Sequence, residues 1–127
     1  MKEDISKQMA YEFGVFAEEI ASREYVKNGY AILERNWRLG KTEIDIIAQK
    51  EDTVVLIEVK ARSGKDMDPL ETVTKDKRRR MVKAADAYLS RMKGNISYRF
   101  DIFTLTGNMS QYAIEQLEDA FVAADLF

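Results

Sequence analysis

The sequence contains neither cysteine nor histidine in its 127 residues, and only one proline. Without thiols there is no disulfide framework and no thiolate zinc site, and without imidazole there is no Ser-His-Asp triad and no histidine base. Any catalysis must rest on carboxylates, Lys, Tyr, Ser or Thr. No apolar run approaches the roughly 18 residues of a membrane span. The segment Met1 to Gln8 carries Lys2, Glu3, Asp4 and Lys7 where a secretory signal would be apolar. Neither a membrane span nor Sec export is expected, which predicts a cytoplasmic protein. One proline and six glycines leave no long linker, and no repeat or low-complexity segment interrupts the chain. Residues 1–127 therefore read as a single domain, for which a hydrophobic content of 46% supplies one core.

Charge is scarce only in sum. Twenty basic residues against 22 acidic ones give a net charge of -2, so the whole molecule exerts no general pull on a polyanion. Its distribution is polarised. Lys75, Lys77, Arg78, Arg79, Arg80 and Lys83 crowd one short segment with Asp76 as its only acid, whereas Gln111 to Phe127 holds Glu115, Glu118, Asp119 and Asp125 and no base. The basic segment opens a predicted helix, where the macrodipole favours acids. Contact with phosphate explains cations at that end; a solvated helix face is the other reading.

From about Lys7 to Lys27, Met9, Phe13, Phe16, Ala17, Ile20 and Ala21 recur at three- and four-residue spacing, which predicts an amphipathic helix ended by Asn28-Gly29. Tyr30–Arg38, Thr42–Gln49 and Thr53–Ala61, rich in Ile, Val and aromatic residues, predict three strands. Their short connections make an antiparallel meander the simplest arrangement. A loop runs through Ser63-Gly64-Lys65 to Pro69. A helix follows from about Val73 to Lys93 with Met81, Ala84, Ala85, Tyr88, Leu89 and Met92 on one face, then a strand from Tyr98 to Leu105. For the tail, a helix through Glu115 to Ala124 is preferred. The order helix, three strands, helix, strand makes an α/β sandwich.

In the second strand, alternation sets Glu43, Asp45 and Ile47 on one face and Ile44, Ile46 and Ala48 on the other. A two-residue turn at Glu51-Asp52 pairs Lys50 with Thr53, and the same register puts Asp45 opposite Glu58 and Glu43 opposite Lys60. Opposed carboxylates repel unless something positive lies between them. Mg²⁺ suits such a place, since it takes oxygen ligands from one or two carboxylates, waters and phosphates. Lys60, two residues along from Glu58, then stands where it could orient or deprotonate a water or offset phosphate charge. Solvated positions on the outer face of a hairpin would also suit both acids. Glu43 could be a further ligand or pair with Lys60 across the hairpin, and the supporting ion-pair role is preferred. Trp37, Tyr30, Tyr98 and Phe100 read as packing residues, and Arg99 with Asp101 as a structural pair.

Asp45 on one strand and Glu58-Val59-Lys60 on the next, after a helix bearing Glu18, resemble the PD-(D/E)XK nuclease superfamily. More closely, Gly29-Tyr30-Ala31-Ile32-Leu33, Asn36-Trp37-Arg38, Glu43 to Ala48, Glu58 to Arg62, Lys77 with Arg79-Arg80, and Arg99-Phe100-Asp101 resemble the YraN-type family of small bacterial proteins. Ala17 and Thr42 stand where that family usually has glycine. The resemblance implies a restriction-endonuclease-like sandwich with a central mixed sheet, related to archaeal Holliday junction resolvases. It implies that Asp45, Glu58 and Glu18 bind Mg²⁺ or Mn²⁺ and that Lys60 is the catalytic lysine. Arg62, Lys77, Arg79 and Arg80 become the nucleic-acid contacts. The expected activity is hydrolysis of DNA phosphodiester bonds at branched or recombination intermediates, and a symmetric cut at a two-fold junction calls for a homodimer. The different reading is a non-catalytic nucleic-acid-binding or scaffold protein on the same fold.

Overall fold

A computed structural model of the chain describes residues 2–64 and 67–127. Helix α1 (Lys2–Lys27) leads into strands β1 (Ala31–Leu39), β2 (Thr42–Lys50) and β3 (Thr53–Arg62), then helix α2 (Lys75–Leu89), strand β4 (Ser97–Gly107) and strand β5 (Tyr112–Leu117). The five strands form one sheet in sequence order, antiparallel except for the parallel β3/β4 pair. A parallel pair cannot be closed by a tight turn, and α2 supplies the crossover. This is the expected α/β sandwich with a mixed sheet, extended by a fifth strand. Lys65 and Asp66 of the expected loop lie outside the described residues. Among the described residues no helix is long and apolar enough to cross a membrane.

Each helix covers one sheet face. Ala17, Ala21 and Tyr25 of α1 pack on Ile46, Ala48, Val55, Ile57, Phe103 and Leu105. Met81, Val82, Ala84, Ala85 and Tyr88 of α2 pack on Ile44, Ile47, Val54, Leu56, Phe100 and Ile102. The alanines let both helices lie close to the sheet. Ala17 is fully buried there. Helix α2 starts where Thr74 caps it, its side chain accepting the Lys77 amide hydrogen, and ends at Leu89, four residues short of the expected Lys93.

The tail corrects the expected helix over Glu115 to Ala124. Residues 112–117 instead pair antiparallel with β4. The reversal is set by Gly107, at φ +129°, where a Cβ would lie 2.3 Å from the Gln111 carbonyl oxygen. Asn108 completes it by accepting the amide hydrogens of Ser110 and Gln111 at 2.9 Å each. Beyond β5, Phe121 stacks on Phe100 with centroids 4.7 Å apart, and buried Leu126 offers its carbonyl to Arg79 Nε at 2.9 Å. The tail is thus a strand and a strap over the α2 side of the core.

Candidate metal centre

The site forms where β2 stops behaving as a regular strand. Strict alternation would put Ile44 with Ile46 and Ala48. Ile44 instead packs with Ile47 under α2, while Ile46 and Ala48 pack under α1, so the alternation slips at Asp45. Opposite on β1, the ladder pairs Arg35 with Ile46 and Trp37 with Ile44, and Asn36 between them has φ +51°. A short polar side chain makes that left-handed backbone tolerable. On the other side, β2 and β3 keep the expected register from Lys50↔Thr53 to Ile46↔Ile57. One step further, Asp45 Oδ2 accepts the Val59 amide hydrogen at 2.8 Å. A carboxylate has taken the place of a main-chain acceptor as the two strands part.

The irregularity gathers acids from two elements. Carboxylate oxygens of Glu18 on α1 and of Glu43 and Asp45 on β2 lie within 4.8 Å of one another. Asn36 holds two of these groups, its side-chain amide donating at 2.7 Å to Glu18 Oε1 and at 2.7 Å to Glu43 Oε1. Glu43, expected to pair with Lys60, instead meets Arg38 at 2.8 Å through Oε2. Glu58 stands beside this group rather than within it, 6% exposed. Lys60 Nζ is 3.8 Å from its Oε1 and Lys77 Nζ 3.8 Å from its Oε2, and buried Oε2 accepts no hydrogen bond.

Burial pushes the Asp45 carboxyl up to about 8, helped by the charge of Glu58 and less by Glu18 and Glu43, and opposed by the Val59 hydrogen bond. Burial also raises Glu58, against the lowering pull of Lys77 and Lys60. A set of hard oxygen donors, including a buried oxygen lacking a donor, fits Mg²⁺ or Mn²⁺. The same shift has a consequence for stability in chelator. Unfolded Asp45 ionises near 3.8, whereas folded Asp45 keeps its proton to about 8. The folded state binds the extra proton between these values, so its stabilisation is complete below the lower one and lost as pH rises through the upper one. Urea melts across that window are expected to show a falling midpoint, less steep in Asp45→Asn.

The basic candidates divide. Lys77 turns inward, its Nζ donating to the Glu43 carbonyl at 3.1 Å as well as facing Glu58. Arg79 binds the Leu126 carbonyl and, at 2.9 Å, Asp76. Arg78, from the same run, donates to the carbonyls of Val73 and Leu70. Arg62 donates to Thr106 Oγ1 at 3.1 Å and to the Met67 carbonyl. Arg80, Lys75 and Lys83 are exposed. The cations at the start of α2 are therefore accounted for in part by Glu58 and the tail. Arg99 and Asp101 form the expected pair, at 2.9 Å, in a separate buried network. Sequence reasoning missed Asn36 as the clamp on Glu18 and Glu43; the signal was a residue of poor strand propensity inside a strand.

A five-stranded mixed sheet with a helix on each face and an acidic cluster where β2 and β3 part defines an α/β protein of restriction-endonuclease-like architecture. The chain belongs to uncharacterised protein family UPF0102, whose model matches residues 17–105 and so spans Glu18, Asn36, Glu43, Asp45, Glu58, Lys60 and Lys77. A UPF0102 protein of Phocaeicola vulgatus is 40% identical over 111 residues, covering 87% of this chain and 92% of that protein. One of Parabacteroides distasonis is 43% identical over 107 residues, covering 83% and 88%. One of Flavobacterium psychrophilum is 40% identical over 111 residues, covering 87% and 93%. The resemblance to the YraN-type family is thereby borne out.

Proposed function

We propose that the chain is a cytoplasmic, divalent-cation-dependent nuclease that hydrolyses DNA phosphodiester bonds at branched or recombination intermediates. The observation that carries this reading is the convergence of Glu18, Glu43 and Asp45 beside buried Glu58, whose Oε2 has no hydrogen-bond donor. Asp45, Glu58 and Glu18 would hold Mg²⁺ or Mn²⁺, with Glu43 now a fourth carboxylate at hand. When bound, such an ion polarises a phosphoryl oxygen and lowers the pKa of a water. The protein's own contribution is positional. The Val59 amide fixes one oxygen of Asp45. The Lys60 ammonium, tethered near Glu58 yet 39% exposed, can reach both a water and a phosphate. Exposed Arg80, Lys75 and Lys83 suit sequence-independent contact with the backbone of the substrate. Symmetric cutting of a four-way junction would pair two such sites in a homodimer.

The test is incubation of the purified chain with four-way, flapped and nicked DNAs and with RNA, in Mg²⁺ or Mn²⁺. Cation-dependent cleavage of a branched DNA is expected, lost in Asp45→Ala together with the rise in melting temperature that the cation gives the wild type. A thermal response unchanged in Asp45→Ala would move the cation elsewhere. DNA binding without cleavage of any substrate would leave the non-catalytic reading in its place.

A further inference from the structure

We propose that Lys77 is a displaceable internal counter-ion of the cation site, holding the charge of Glu58 when no divalent ion is bound and competing with that ion for it. The inference rests on the metal reading above and deepens it by naming how the site is regulated. It begins from a local conflict. Lys77 is the third residue of α2, in the turn where the positive end of the macrodipole disfavours a cation, and its side chain is only 24% exposed. Something beyond the helix must stabilise it there.

Two groups do so, in different ways. The Glu43 carbonyl takes a directed hydrogen bond at 3.1 Å, whereas Glu58 Oε2 lies 3.8 Å away, too far for one. The contact with Glu58 is therefore a charge contact alone, and it leaves that buried oxygen with no hydrogen bond. An oxygen so placed is neutralised but not saturated. A divalent ion bonds carboxylate oxygens at roughly 2.0–2.1 Å, so it can take from Lys77 a partner that Lys77 holds only loosely.

Lys60 differs in the respects that matter. It sits on the same strand as Glu58, addresses the other oxygen, Oε1, and is 39% exposed, so water screens more of its charge. Lys77 comes from another element on a flexible four-carbon stem, and can withdraw without moving the sheet. Four carboxylates, Glu18, Glu43, Asp45 and Glu58, face Lys60, Lys77 and the Arg38 partner of Glu43. Removing the more buried lysine makes the site more negative for an arriving cation. When the cation does displace Lys77, the freed ammonium becomes available to a phosphate. Cation and polyanion binding then reinforce each other, and the coupling is reciprocal.

The experiment titrates Mn²⁺ alone, without DNA, into wild type, Lys77→Met and Lys77→Gln, by calorimetry and by thermal melts with and without chelator. Lys77→Met is expected to bind Mn²⁺ on the order of tenfold more tightly than wild type. It should melt below wild type in chelator, because buried Glu58 then keeps only the more exposed Lys60 as a counter-ion, and gain more from Mn²⁺. Should Lys77→Met fail to fold, Lys77→Gln, which keeps a donor for the Glu43 carbonyl but no charge, must show the same tightening. A folded variant of either kind that binds Mn²⁺ as wild type does, or more weakly, overturns the counter-ion role while leaving the metal reading intact. Absence of Mn²⁺ binding in the wild type overturns both.

Discussion

Lys60→Ala is expected to abolish cation-dependent cleavage of branched DNA, by a factor on the order of a thousand, while preserving the fold and the response to Mn²⁺. An ammonium has only donors and no lone pair for a cation, so Lys60 is not itself a ligand. At 39% side-chain exposure, its removal opens no cavity and costs little stability. The charge it withdraws from Glu58 is partly screened, so Mn²⁺ affinity should hold or tighten slightly, and less than in Lys77→Met. What is lost is the group that reaches both nucleophile and phosphate. Melting curves and Mn²⁺ titration of the purified variant, beside a cleavage time course, separate these effects. Cleavage that persisted in purified Lys60→Ala would point to a contaminating nuclease or another active site.

How far such a site is legible in sequence depends on how regular its surroundings are. The β2/β3 register follows to the residue from one two-residue turn, because Lys50 and Thr53 close it and Ile46 then meets Ile57. Regular pairing ends at Asp45, and so does the power of the alternation rule. That rule expects Glu43 across from Lys60, whereas the slip beside Asn36 turns Glu43 toward Glu18, Asp45 and Arg38. The departure from regular backbone is what assembles the cluster, and no count of apolar spacings reveals a left-handed Asn. The basic run meets the same boundary. Sequence shows that charges are adjacent, but only packing shows that Lys77 and Arg79 face Glu58 and the tail.

Periodicity also says which face is apolar without saying what covers it. Met9 belongs to the α1 stripe yet is 61% exposed, because among the described side chains the fully buried residues of α1 begin at Ala17, with Phe13 and Phe16 only partly buried against the core. The missed strand β5 had a signal in Gly107-Asn108, a turn pair directly after an apolar strand. The edge of β4 then settles the matter, since its exposed backbone groups gain ladder hydrogen bonds only if the tail is extended.

The remaining large effect concerns Asp101, which is fully buried yet accepts four hydrogen bonds. Tyr25 gives one at 2.6 Å, Arg99 two at 2.9 and 3.2 Å, and the Asp119 amide one at 3.0 Å. Burial works against the charge of Arg99, but its bonds to Asp101 and Tyr30 more than offset this. Burial and the Asp101 charge together hold the Tyr25 hydroxyl well above its ordinary range, so it remains a donor. Asp101→Ala leaves Arg99 without its principal partner and is expected to cost about 3–5 kcal/mol in denaturant melts. Tyr25→Phe removes one bond to a charged group and should cost about 1.5–3 kcal/mol. Because both changes break the same bond, the double variant should fall short of their sum by about 1 kcal/mol or more. The network also bears on the site. Tyr25 lies seven residues, two turns, after Glu18 on the same helix, so its anchor in β4 sets the rotation of α1 that brings Glu18 to Asn36. Tyr25→Phe should therefore weaken Mn²⁺ binding as well as stability, and additive costs with unchanged Mn²⁺ affinity would show that α1 is held elsewhere.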